Sequence, residues 1–140
     1  MIQLFHLFKN FGPSIALSDL NLRIHEGEFV FITGPSGAGK TTLLRLIFGA
    51  EIPTSGHILI NGVNLSRISR LKLDLLRRKI GFVFQDFKLL SKKTVFENVA
   101  LALEVTGEHP PVIRKKTHRT LKLVGLAEKE KAYPLQLSGG

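Results

Sequence analysis

Gly34-Pro35-Ser36-Gly37-Ala38-Gly39-Lys40-Thr41 follows the spacing G-x-x-x-x-G-K-[ST] in full. The chemistry such an octet serves is the capture of a polyphosphate. Glycines let the backbone curl until successive N–H groups converge on phosphate oxygens. A helix starting at the lysine adds the positive end of its dipole. Lys40 then bridges the β- and γ-phosphates, and the Thr41 hydroxyl is placed to hold Mg²⁺. With Thr42, these residues form the candidate ATP-binding set. A second cluster of small residues, Leu137-Ser138-Gly139-Gly140, lies at the other end of the chain. Alone, Ser-Gly-Gly is a common turn. It also offers a hydroxyl and unshielded N–H groups, the makings of a second phosphate cradle. Between the two lies Gln85. It follows an apolar run, and ligands of open α/β sheets gather at strand C-termini, so its amide oxygen is a candidate for Mg²⁺ or a bound water near the loop.

Those residues need a scaffold, and the hydrophobic pattern supplies one. Ile2, Leu4, His6 and Phe8 alternate with Gln3, Phe5 and Leu7 as in a strand, and Gly12-Pro13 interrupts the run. Leu20–Ile24 alternates as a strand with one wet face. Phe29-Val30-Phe31-Ile32 is a continuous apolar run, the pattern of a strand buried on both faces, and leads into the glycine loop. Leu43, Leu46, Ile47 and Ala50 recur at helical spacing. Residues 57–65 form a hairpin about Asn61-Gly62, a pair suited to a type I′ turn. Residues 69–79 are expected to be helical, Ile80–Phe84 to be a second buried strand, and 94–105 and 111–124 to be helices. Thr94 is an N-cap candidate with Glu97 three residues on. This mixture predicts an α/β protein with helices packed on a sheet.

Composition narrows the class. The chain has 140 residues, 44% hydrophobic and 22% charged, enough for one domain with a core and too apolar for a disordered chain. With no cysteine, a disulfide scaffold and a cysteine zinc site are excluded. No apolar run reaches the roughly 18 residues of a membrane span, and Met1–His6 lacks the pattern of a secretory leader, so a soluble intracellular protein is expected. The net charge is +9. Residues 66–93 hold nine basic and two acidic side chains, and 109–124 add Arg114, Lys115, Lys116, Arg119 and Lys122 with no acid. Such clusters are either solvated faces or docking surfaces for an anionic partner. The basic stretch around Arg77-Arg78-Lys79 suits an anionic membrane leaflet. Nucleic acid is not expected, because no basic stretch interleaved with aromatics is present.

The phosphate loop, Gln85 after Phe82-Val83-Phe84, and the terminal Leu137-Ser138-Gly139-Gly140 together resemble the ATP-binding subunits of ABC transporters, over the whole chain. The resemblance implies a P-loop NTPase of RecA-like core with a small antiparallel β-subdomain, spanning about 1–84, and a glutamine loop with part of a helical subdomain, about 85–140. It implies a homodimer in which Ser138, Gly139 and Gly140 of one subunit close over the ATP of the other. It also implies that an aromatic near the N-terminus, here Phe11, stacks on adenine; the other reading of Phe11 is a core residue. Phe replaces the more usual Tyr and keeps the stacking face. Within the family, Ala38 and the Gln85-Asp86 pair resemble the bacterial cell-division branch, with the lipoprotein and macrolide exporters as the alternative. The cell-division branch implies an FtsX-like membrane subunit at the inner face of the cell membrane. The family pattern continues past the signature with a strand ending in Asp-Glu and a switch histidine. A chain of these 140 residues is therefore expected to bind nucleotide weakly, to turn over no ATP and to aggregate.

Overall fold

The computed structural model describes residues 1–138 and divides into two compact units, Met1–Phe82 and a second beginning at Val83. The first holds strands β1 (Ile2–Phe11) and β2 (Ser14–Ile24), helix α1 (Lys40–Ile47), strands β3 (Ser55–Ile60) and β4 (Val63–Asn64), and helix α2 (Arg70–Arg77). The second holds helices α3 (Val95–Val105) and α4 (Pro110–Leu123), followed by two single 3₁₀ turns.

All pairings of the four-stranded sheet are antiparallel, in the order β2-β1-β3-β4. Gly12-Pro13 is a tight hairpin turn with Gly12 at φ +56°, so the first strand and its partner are both longer than the alternation predicts. Asn61 and Gly62 both have positive φ, +48° and +79°, as a type I′ turn requires.

Strict alternation in β1 fails at His6. That residue has φ +44°, and the pairing with β2 shifts between Leu4 and Leu7. The bulge turns Leu4 and Leu7 to the same side, and both are buried. Two contacts and a matching backbone distortion on the facing strand hold it in place. The His6 N–H donates to Asn21 Oδ1 at 2.8 Å, the His6 Nδ1 lies 2.7 Å from Asp19 Oδ1, and Asp19 itself takes φ +46°. Leu4 and Leu7 join Leu43 and Leu46 of α1 and Ile58 and Ile60 of β3 in one buried cluster. α1 thus seats its i, i+3 apolar pair on the sheet, which fixes where the phosphate loop can sit.

Two expected strands are corrected. Residues 29–33 and 80–84 carry no ladder among the described residues, and Phe29, Phe31 and Val83 are 83%, 80% and 93% exposed. Their apolar composition is that of buried strands, but a ladder needs a neighbour, and no strand of the described sheet lies beside them. The stretch around Arg77 is also corrected in part. The Arg77 guanidinium does not face outward: its Nη2 donates to Gly49 O at 2.7 Å and its Nε to Phe48 O at 3.3 Å. It takes up the two carbonyls just past the C-terminal end of α1, where the helix dipole favours a cation.

In the second unit α3 begins on a capping box. Glu97 N–H donates to Thr94 Oγ1 at 3.2 Å, and Glu97 Oε2 accepts from Thr94 N–H at 2.7 Å. The Thr94 N–H first, then its hydroxyl, hold the Glu97 carboxyl below its ordinary 4.5. A group depressed in the folded state stabilises above its unfolded value and loses that contribution as pH falls through the folded one. Thr94→Ala is expected to lower the unfolding free energy by about 1 kcal/mol at neutral pH. In acid titrations followed by circular dichroism, the stability advantage of the native chain over Glu97→Gln is expected to vanish below the ordinary carboxylate range.

Candidate functional site

The phosphate loop is built by backbone conformation. Gly34, Gly37 and Gly39 take φ +151°, +82° and +82°, values that side chains resist. Gly39 is the N-cap of α1 and supplies no side-chain cap, so the first turn keeps its orphan donors at Lys40, Thr41 and Thr42. The Ala38 N–H turns back to Pro35 O at 3.3 Å, and the helix ladder begins with Leu43 N–H donating to Gly39 O at 2.8 Å. Loop residues 34–38 are solvent-exposed, as is Thr41. The loop is therefore an open concavity of N–H groups at a helix start, the arrangement that takes an anion.

Lys40 completes it. Its ammonium donates to Gly34 O at 2.8 Å and Pro35 O at 2.6 Å, so the cation already lies over the loop. Thr41 presents a hydroxyl one residue on. Among the described residues no group of three or more His, Cys, Asp or Glu could hold a metal ion. The set present fits Mg²⁺ only as the partner of a bound polyphosphate, since that ion keeps waters and phosphate oxygens and needs few protein ligands.

Phe11 stands at the end of β1, in the same unit, 48% exposed, with the Lys9 ammonium 4.6 Å from its ring centroid. A core position is thus excluded. Gln85 and Asp86 fall in the second unit, on an irregular exposed segment, and Asp86 pairs with Lys88 at 2.6 Å. Phe87 and Lys88 take φ +55° and +50° in succession, a conformation non-glycine residues rarely hold. Phe87, Leu89 and Leu90 are exposed beside Lys88, Lys92 and Lys93. Ser138 is exposed, and Gly139 and Gly140 lie outside the described residues.

Two residues matter that sequence reasoning passed over. Asn98 in α3 ties down the segment after Gln85: its amide donates to Leu90 O at 3.1 Å, Lys93 O at 3.0 Å and Thr94 O at 2.9 Å, and its oxygen accepts from Leu90 N–H at 2.8 Å. The one signal was an amide directly ahead of the apolar helical stretch 99–103. The other is Lys9, whose signal was its i, i+2 placement beside Phe11 on one strand.

Residues 17–140 match the protein family described as ABC transporter. The cell division ATP-binding protein FtsE of Bacillus subtilis is 51% identical over 141 residues, covering 100% of this chain and 62% of that protein. The methionine import ATP-binding protein MetN of Photobacterium profundum is 54% identical over 125 residues, covering 89% of this chain and 36% of that protein. A solved dimeric ATP-binding cassette in a post-hydrolysis state, bound to ADP and Pi, superposes with a TM-score of 0.89 at 38% identity, over 99% of this chain and 64% of that one. The chain thus spans less than two thirds of the length of each of these proteins.

Proposed function

From the premise that this chain belongs to the ABC transporter family, we propose that it binds MgATP as the nucleotide-binding subunit of an FtsE-like system. The observation that carries the nucleotide reading is the Gly34–Thr41 loop, which opens α1 with Lys40 already folded over it. In this reading the loop N–H groups and Lys40 hold the phosphates, Thr41 and Gln85 contribute to Mg²⁺, and Phe11 stacks on adenine. Mg²⁺, when bound with the nucleotide, neutralises charge on the phosphates. Ser138, Gly139 and Gly140 act in trans, on the nucleotide of a second copy.

For the finer assignment, the FtsE match over the full chain supports a cell-division role with an FtsX-like membrane subunit, on the cytoplasmic face of the cell membrane. No helix among the described residues is long and apolar enough to cross a membrane. The MetN similarity favours a second reading, nucleotide-driven methionine import. Co-expression with an FtsX-like subunit and with a methionine-import permease separates the two: the proposal expects stable co-purification with the first and not with the second.

The exposed Phe87, Leu89 and Leu90, ringed by lysines, are the surface expected to meet that partner. Reversal of charge at Lys92 and Lys93 is expected to reduce co-purification and leave ATP affinity unchanged; intact co-purification removes this patch from the interface.

Turnover needs a carboxylate to orient water and a second hold on the metal. Asp86, the acid beside Gln85, already pairs with Lys88. A polypeptide of these 140 residues is therefore expected to release phosphate from ATP at the background rate. Lys40-dependent release above background would overturn this and mean that another residue, Asp86 first among the candidates, acts as the base.

A further inference from the structure

Lys9 is a cation in an unusual place for one. Its side chain is only 12% exposed, in β1, where a lysine normally reaches into water. Its ammonium is held from two sides by the loop that leaves α1: it donates to Glu51 Oε2 at 2.9 Å and to Ile52 O at 2.9 Å. That loop is stitched to the same stretch of β1 by two more bonds, Thr54 N–H to Phe8 O and Asn10 N–H to Thr54 Oγ1, both at 2.9 Å. Lys9 and Phe11, two apart on one strand, project to the same face, and the ammonium lies 4.6 Å from the ring centroid. At that distance a cation is attracted to the face of an aromatic ring, more strongly where water is excluded.

We propose that Lys9 is a positioning residue for base recognition. Clamped by Glu51 and Ile52, it holds the Phe11 ring by one face and leaves the other open to a purine. A cation behind the ring also draws π density away from the open face, which favours stacking by an electron-rich base. The loop carrying Glu51 leaves the C-terminal end of the helix whose N-terminus receives the phosphates. One helix thus sets the distance between phosphate loop and base platform, through Glu51, Lys9 and Phe11. This inference rests on the reading of Phe11 as the adenine-stacking residue.

The test compares two ligands by calorimetry: MgATP, which has a base, and inorganic tripolyphosphate, which has none. Phe11→Ala is expected to weaken MgATP and leave tripolyphosphate unchanged. Lys9→Met, which keeps the stem and removes the charge, is expected to weaken MgATP roughly threefold to tenfold with tripolyphosphate unchanged. Lys9→Arg, which restores a cation, is expected to recover most of the loss. Combined with Phe11→Ala, Lys9→Met is expected to add nothing, because its effect runs through the ring. If Phe11→Ala discriminates between the ligands and Lys9→Met does not, the role of Lys9 is overturned and the stacking reading stands. Equal weakening of both ligands by Lys9→Met shows a merely structural role and overturns it as well. If Phe11→Ala treats the two ligands alike, both readings fall. Should Lys9→Met not fold, Glu51→Gln, which loosens the ammonium from the other side, is expected to give the same selective loss in smaller size, and a ligand-independent effect overturns the proposal.

Discussion

Lys40→Ala is expected to abolish MgATP binding in calorimetry while leaving the unfolding transition nearly unmoved. The ammonium is the cation that the loop brings to its own concavity, held by Gly34 O and Pro35 O at 2.8 and 2.6 Å. Those are neutral acceptors. Phosphate oxygens carry negative charge, so the same ammonium that makes an ion–dipole contact with a carbonyl makes an ion pair with them, the stronger of the two contacts. Exchange of partners on binding therefore favours the nucleotide. Loss of the charge and its bonds to two phosphates is expected to cost roughly 3 kcal/mol or more, over a hundredfold in affinity. Stability is little affected, because the carbonyls released lie on an exposed loop that water can satisfy. Unchanged affinity would remove the loop from the nucleotide site. Reduced affinity with an equal loss of stability would show that Lys40 organises the loop and does not touch the phosphates.

How much of this was legible beforehand depends on how far apart the interacting residues are. The phosphate loop is contiguous, its conformation being dictated by glycines at 34, 37 and 39, so the sequence alone places it. The Asn61-Gly62 turn and the Thr94-Glu97 cap are equally local. The bulge at His6 is not local. Its cause is Asp19 and Asn21 on the facing strand, and nothing within β1 marks the point where alternation breaks. Arg77 reads as one of a run of surface cations; its partners, Phe48 O and Gly49 O, lie 29 and 28 residues earlier at the end of another helix. Lys9 pairs with Glu51 across 42 residues. The apolar runs at 29–32 and 80–84 show the complementary error. Side-chain pattern reports what a segment is suited to bury, whereas a strand is made by the backbone beside it.

Substitution of Gly39 by alanine is expected to damage both fold and site, and Gly37 provides the control. Both glycines have φ +82°. An added methyl group in this left-handed region costs about 1–2 kcal/mol at either position. They differ in what that methyl would meet. At Gly37 no atom lies within 4 Å. At Gly39 the new carbon would sit 2.4 Å from Ala16 O and 2.9 Å from Leu17 Cδ2. The first of these is backbone of β2, which cannot swing aside as a side-chain tip can. Relief requires α1 to lift off the strand, against the packing of Leu43 and Leu46 on the sheet, at a further cost of about 1–3 kcal/mol. Gly37→Ala is therefore expected to lower the unfolding free energy by about 1 kcal/mol, and Gly39→Ala by about 3 kcal/mol, in chemical denaturation. The displaced helix start also moves Lys40 and Thr41 away from the loop, so MgATP affinity is expected to fall with stability in Gly39→Ala. Equal destabilisation of the two variants would mean that close approach to β2 does not hold the loop, and that glycine is needed at 39 for its backbone angle alone.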